Sequence, residues 1–228
     1  MKNLISVLLI SLVPTSIFAI GGFGLQLGQG SFSVDASSPD TNIPGVTLTN
    51  GAFDGSGILG GYVYVDLIPF VDIEFDFNVQ GNTYDIEFQN ALGEMPKINF
   101  GWVSGNTYTT VRKKIVGLSI PFLAGAQLHG GLGINTHSTM PVADLSMVEE
   151  LLGGSLNADP SSLDQALLDY LEDEDNRVDD SGFHIQTGLQ FKLLMIDTFL
   201  IYRHTFVDDV IPGANSFGTL SMRLGLGI

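Results

Sequence analysis

The sequence predicts an all-β fold: an eight-stranded antiparallel up-and-down transmembrane β-barrel with short helices in its third long connection. Three observations predict it. Eight segments alternate apolar and polar residues with period two, the connections between them are short and long by turns, and an apolar leader precedes the first segment while no later run is long and apolar enough for a spanning helix.

The leader, residues 1–19, carries Lys2, an apolar run interrupted by Ser6, Ser11 and Pro14, and Ile17-Phe18-Ala19 at its end. This is the pattern of a secretory signal peptide cleaved after Ala19, which leaves residues 20–228 as one barrel domain. Removing Lys2 reduces the basic residues from nine to eight against 25 acids and takes the formal net charge from −16 to −17. Nucleic acid is thereby excluded as an expected partner, because phosphate contacts need a basic surface. Cysteine is absent, so disulfides, a lipid-modified N-terminal cysteine and thiol catalysis are excluded as well. After the leader the best apolar run, FKLLMIDTFLI, is cut by Lys192 and Asp197. Backbone polar groups in a bilayer must be satisfied internally, so an exported apolar chain without a spanning helix points to a closed barrel.

Successive strand side chains point to opposite faces, and each segment can be read for its two faces. In the first, residues 21–34, Phe23, Leu25 and Leu27 oppose Gly24, Gln26 and Gly28. In the second, 57–67, Leu59, Val63, Val65 and Leu67 oppose Tyr62, Tyr64 and Asp66. The third, VDIEFDFNV over 71–79 with a continuation as far as Phe88, places Val71, Ile73, Phe75, Phe77 and Val79 against Asp72, Glu74, Asp76 and Asn78. The fourth, 107–120, has Val116, Leu118 and Ile120 in phase, while the phase around Arg112, Lys113 and Lys114 is open and suggests a bulge. The fifth, 122–135, sets Phe122, Ala124, Ala126, Leu128, Leu132 and Ile134 against Gln127, His129, Gly131 and Asn135. The sixth, 182–192, sets Phe183, Ile185, Leu189 and Phe191 against His184, Gln186, Gln190 and Lys192. The seventh, 197–206, is apolar on both faces; Leu200, Tyr202, His204 and Phe206 are placed outward and Arg203 inward. The eighth, 217–228, sets Leu220, Met222, Leu224, Leu226 and Ile228 against Thr219, Ser221, Arg223, Gly225 and Gly227.

The short connections fall at 68–70, 120–122 and 194–196, and the long polar ones at 35–56, 81–106, 136–181 and 207–216. Short turns at one end and long loops at the other are the arrangement of bacterial outer-membrane barrels, with the short end periplasmic. Two of the short turns share the tripeptide Ile-Pro-Phe, which is too little to define a repeat.

Sorting by side fixes which face is wet. With the apolar face turned to lipid, Asp72, Glu74 and Asp76 point inward and require partners, since buried charges are paired. Lys192, Arg203, Arg223 and one of Lys113 or Lys114 supply the opposite charge on the inner phase. An eight-stranded barrel is just wide enough for side chains to fill, so a plugged interior is expected and a conducting pore is not.

The third long connection, 136–181, is acidic and carries the helical pattern. In PSSLDQALLDYLEDED, Leu163, Ala166, Leu167, Tyr170 and Leu171 share a face, and Ser162 with Gln165 has capping-box spacing; a shorter helix is expected near Ser146, with Glu149 three residues on. The helices are expected to cap the barrel mouth or to present a surface for a partner or ligand. Glu172, Asp173, Glu174, Asp175, Asp179 and Asp180 gather around Arg177 and are candidate oxygen ligands for calcium, although the spacing departs from the calcium-loop motif; a solvated acidic stretch is the competing reading. No other cofactor is implied. His129, His184, His204 and His137 lack metal-ligand spacing and read as core or interface groups.

The leader, the eight alternating strands, the sorted loops and the amphipathic C-terminal strand together resemble the small eight-stranded outer-membrane barrels, the OmpA/OmpX-like group in the broad sense. The resemblance covers residues 20–228 as architecture and implies a bacterial outer-membrane location, contact with outer-membrane lipid and handling by the barrel assembly machinery. Members of that group usually end in an aromatic residue, where this chain has Ile228. The stretch YRHTFVDDVIPGANSFG is similar in layout to the lipid A deacylases, whose barrel carries a His-x-Ser pair on its lipid-facing side. Phe206 occupies the serine position after His204, and Thr205 points to the other face. A non-enzymatic barrel presenting acidic loops is therefore expected. A soluble, exported lipocalin-like barrel binding an apolar ligand is the alternative, and it requires Phe75 and Leu224 inside with Asp76 and Arg223 wet.

Overall fold

The computed structural model describes residues 21–39, 42–68, 71–120 and 123–227; the leader, the Pro-Phe pairs of both Ile-Pro-Phe turns and Ile228 lie outside the described residues. Nine strands form one antiparallel sheet: β1 Gly21–Val34, β2 Thr47–Asn50, β3 Phe53–Ile68, β4 Val71–Asn90, β5 Gly93–Ile120, β6 Ala124–Thr139, β7 Val178–Leu193, β8 Ile196–Ile211 and β9 Ala214–Gly227. Each of β3 to β8 pairs with its successor, and β1 pairs with both β3 and β9, so eight strands close into a ring. β2 stands outside the ring, pairing Thr47–Asn50 with residues 86–89 of β4 above Gly57 and Gly81, where the pairing of β3 with β4 stops.

Two connections expected as long loops are strand instead. Residues 81–106 continue β4 to Asn90 and resume in β5 at Gly93, leaving only Ala91 and Leu92 between them. Residues 207–216 likewise extend β8 to Ile211 and begin β9 at Ala214, around Pro212 and a Gly213 at φ +77° that suits a tight turn. Both stretches are polar on their outer face, which makes them look like loops until the inner face is read separately.

β4 shows why. The tetrapeptide Asp-Ile-Glu-Phe occurs in it twice, at 72–75 and at 85–88, offset by the odd number 13. Because the faces alternate, the two copies are turned opposite ways. In the lower copy Glu74 is fully buried and Phe75 is 48% exposed; in the upper copy Ile86 and Phe88 are buried while Asp85 and Glu87 face outward. The same inversion runs round the ring. Below it, Leu25, Leu59, Phe77, Ile134, Phe183, Phe206 and Met222 face out; above it, Ser31, Ser33, Thr83, Thr136, Ser181 and Asp208 do. The barrel therefore has two storeys, one apolar outside and polar inside, the other polar outside and apolar inside.

The upper storey holds the hydrophobic core. Val34, Leu48, Phe53, Tyr84, Ile86, Phe88, Phe100, Trp102, Val207, Ile211 and Phe217 line it. Two helices in the 140–177 connection, α1 Leu145–Leu151 and α2 Leu163–Glu172, close it from above. Leu163, Leu167 and Leu171 of α2, spaced four apart, are all but fully buried, as are Met147 and Val148 of α1. The caps differ from those expected. Asp144, not Ser146, caps α1 by accepting from the Met147 amide at 2.8 Å. Ser162 makes no side-chain cap bond, and Gln165 donates instead to Asp169 at 2.8 Å along the helix face.

The cap is fastened by two buried asparagines. Asn50 donates to the Ala143 carbonyl at 2.7 Å. Asn90 donates to the carbonyls of Leu156 and Ala158 at 2.9 and 2.6 Å, while its own oxygen accepts from the Leu92 and Gly93 amides and shapes the β4–β5 turn.

Candidate functional site

The lower storey is filled by a layered polar core. At its centre, Glu74 and Asp76 on β4 meet Arg112 on β5, Arg203 on β8 and Arg223 on β9. Glu74 lies 2.9 Å from Arg223, 3.2 Å from Arg112 and 3.8 Å from Arg203. Asp76 lies 2.6 Å from Arg223 and bonds directly to Arg203. Asp72, on the strand beside Arg112, adds a contact at 3.2 Å. Three guanidiniums thus face three carboxylates, with Asp66 at 3.8 Å behind Arg112.

Neutral groups complete the cluster. Gln186 donates to Glu74 at 3.0 Å and accepts from Arg203, and Gln26 accepts from Arg223 at 2.8 Å. Each arginine also lies over an aromatic face: Arg112 at 4.5 Å from the Tyr64 ring centre, Arg203 at 3.9 Å from Tyr108 and Arg223 at 4.8 Å from Tyr62. Glycines on the inner phase leave the volume for these side chains. A Cβ at Gly22 would fall 2.5 Å from the Tyr64 ring, and one at Gly133 would fall 2.7 Å from the His184 ring. Towards the turn end, Tyr64 donates to Asp197, Gln190 donates to Asp197 at 3.1 Å, and Tyr62, Tyr64, Phe199 and Ile201 form a small apolar layer.

Of the inward charges expected from sequence, Asp72, Glu74, Asp76, Arg203 and Arg223 come together. Lys192 does not join them; it is half-buried on the inner face near the turn end, opposite Asp197 in register, and forms no ion pair with the described residues. Of Lys113 and Lys114, the inner phase falls to Lys114, which stands opposite the luminal His129 in register but is exposed at the turn end and forms no ion pair with the described residues; Arg112 takes the paired inner position, because the β5 register slips between Lys114 and Val116 at the extra residue Ile115. Tyr62, Tyr64 and Asp66, placed on the inner phase of the second segment, were not assigned to the cluster, although their alternation with outward valines was the signal for it; Asp197 and Tyr108 were missed.

The six acids proposed for calcium are not gathered. Among the described residues no three metal-ligating side chains converge. Glu172 ends α2, Asp173 caps a single 3-10 turn by accepting from the Asp175 amide at 3.0 Å, Glu174 lies 3.6 Å from Arg177, and Asp179 and Asp180 alternate along β7. An extended chain after a helix end spreads neighbouring carboxylates apart.

The faces required by a soluble ligand-binding barrel are reversed: Phe75 and Leu224 are outside, Asp76 and Arg223 inside. His204 sits on the outer wall with its ring 4.7 Å from Phe206, and the hydroxyl next to it in the chain, Thr205, is buried on the other face. Above the belt, burial pushes the Tyr84 hydroxyl up to about 12, and Lys97 and Asn99 hold the exposed Asp85 carboxyl below the usual range.

The ring, its up-and-down order and its strand pairing define an eight-stranded barrel of the kind found in outer membranes. Solved structures similar in fold are the N-terminal β-barrel domain of Pseudomonas aeruginosa OprF (TM-score 0.48, 8% identity, 92% of this chain and 98% of that one) and Neisserial surface protein A (0.45, 12%, 91% and 96%). A third is the outer-membrane protein OprG from Pseudomonas aeruginosa (0.46, 11%, 92% and 94%). No protein-family model and no curated protein sequence matches the chain.

Proposed function

We propose that the protein is a non-enzymatic barrel of the bacterial outer membrane, exported by residues 1–19 with cleavage after Ala19, inserted by the barrel assembly machinery and non-conducting. The lower storey is the membrane anchor and the upper storey a rigid acidic head outside it. One observation carries this reading: fully buried ion-paired side chains lie directly behind a continuous wall of exposed Phe, Leu, Ile, Val and Met. In water that arrangement exposes apolar area far beyond the few hundred Å² usual for soluble monomers, and in lipid it is the stable one. Five of the 25 acids, Asp66, Asp72, Glu74, Asp76 and Asp197, belong to the lower storey. The described basic residues of the upper storey are Lys97 and Arg177, so the head presents a negative field suited to cations or basic partners.

Extraction tests the reading. The native chain should need detergent to leave the membrane fraction, should shift on a gel after heating, and should give no steady conductance in planar bilayers. Release into a periplasmic shock fluid would overturn it.

A further inference from the structure

A groove of about 710 Å³ crosses the outer wall over β4, β5, β6 and β7, at the upper edge of the apolar belt. Its floor consists of two registered rows, Phe77, Thr107, Thr136 and Ser181, then Val79, Gly105, Ser138 and Asp179. Phe77 and Val79 wall one side, and Thr107 and Thr136 share a hydrogen bond of 2.5 Å on the floor. Met140 and Arg177 line it towards the cap. Directly below, the next row is apolar apart from Thr109, running Phe75, Thr109, Ile134, Phe183 and Phe206, the last two stacked at 4.6 Å.

We propose that this groove seats one membrane phospholipid whose head carries both a phosphate and a primary ammonium. The proposal rests on the membrane reading above. An acyl chain lies along Phe77, Val79 and the belt beneath them, the phosphate meets Arg177 and the hydroxyl floor, and the ammonium meets Asp179. Two observations select this occupant. The groove is continuous below with the lipid-facing wall, and its upper rim carries opposite charges, Arg177 and the outward Asp179 both lining it and Arg177 lying 3.6 Å from Glu174. A purely anionic head would meet the Glu174 and Asp179 carboxylates around one guanidinium. A second copy of the chain docked through a two-fold axis would bring two sets of those carboxylates together.

The test is native mass spectrometry of the full chain in detergent, with phosphatidylethanolamine or phosphatidylglycerol added at equal concentration. The wild type should retain one phosphatidylethanolamine. Gly105→Phe fills the groove, and the fold accepts it, since a Cβ there meets only the Ser138 carbonyl at 3.9 Å; it should lower retention at least tenfold. Arg177→Gln should lower it several-fold, and Leu220→Trp on the opposite wall should leave it unchanged. Equal retention of the two lipids, or no effect of Gly105→Phe, would overturn the proposal as non-specific annular contact, and a dimer abolished by Gly105→Phe would overturn it in favour of self-association. Flotation with phosphatidylethanolamine vesicles separates the two readings. A chain that floats but retains no lipid overturns the groove alone, whereas one that does not float overturns the membrane reading with it.

Discussion

Glu74→Gln keeps the shape of the most enclosed side chain in the ion cluster and removes its charge. The carboxylate is fully buried and within 3.8 Å of all three arginines, so the variant leaves three guanidiniums to Asp76 and Asp72. Taking one partner from a buried ion pair costs about 3–5 kcal/mol, because the remaining charge stays desolvated. With a urea slope of about 2 kcal/mol per molar, the unfolding midpoint in detergent micelles should fall by about 2 M. Phe75→Leu, one residue on and facing outward, changes only belt contacts and should move the midpoint by less than about 0.5 M on the same slope. Pairing the change with Arg223→Gln restores two carboxylates to two arginines, and the double variant should be more stable than the sum of the singles by about 1–3 kcal/mol. Tryptophan fluorescence follows the transition, since Trp102 is buried in the upper core. A Glu74→Gln midpoint equal to wild type, or strictly additive singles, would refute a mutually satisfied luminal cluster.

The duplicated tetrapeptide predicts opposite labelling in intact cells: Glu87→Cys should react with a membrane-impermeant maleimide, and Phe75→Cys should not; the reverse pattern would sink the two-storey reading. Asn90→Ala removes both tethers from the cap and the shaping of the β4–β5 turn, a loss of about 2 kcal/mol on ordinary hydrogen-bond magnitudes, and should speed proteolysis within 140–177 while the lower storey stays protected. Uniform protection would refute the fastening role. Tyr84, with its hydroxyl pushed up to about 12, stays neutral in the folded chain where the unfolded one ionises near 10. Its contribution is complete below about pH 10 and is lost as pH rises towards 12, so wild-type minus Tyr84→Phe absorbance should show tyrosinate appearing near 12. Appearance near 10 would show that Tyr84 is wet.

Period two made the ring legible, because one apolar face per strand leaves the order and the inward acids little freedom. Alternation in loop length also pointed the right way, although for 81–106 and 207–216 the supposed loops are strands whose outer face has turned polar. What the sequence concealed follows from physics that alternation does not carry. The bulge at Ile115 changes the parity of β5, which hid Arg112 behind two lysines. The cluster is closed by residues from strands far apart in the chain, such as Arg223 with Gln26 or Gln186 with Glu74, and only register across the ring brings them together. The cap over the upper core rests on Asn50 and Asn90, whose amides reach backbone carbonyls with no side-chain signature to find.

The odd offset between the two Asp-Ile-Glu-Phe copies has an engineering consequence. Height above the bilayer is written in residue parity, with no change of backbone, so a dipeptide inserted between the copies should lift the head by about 6–7 Å along β4 and keep both faces correct. A single inserted residue should instead turn one copy inside out. Lengthening or shortening such a wall is therefore a matter of even steps.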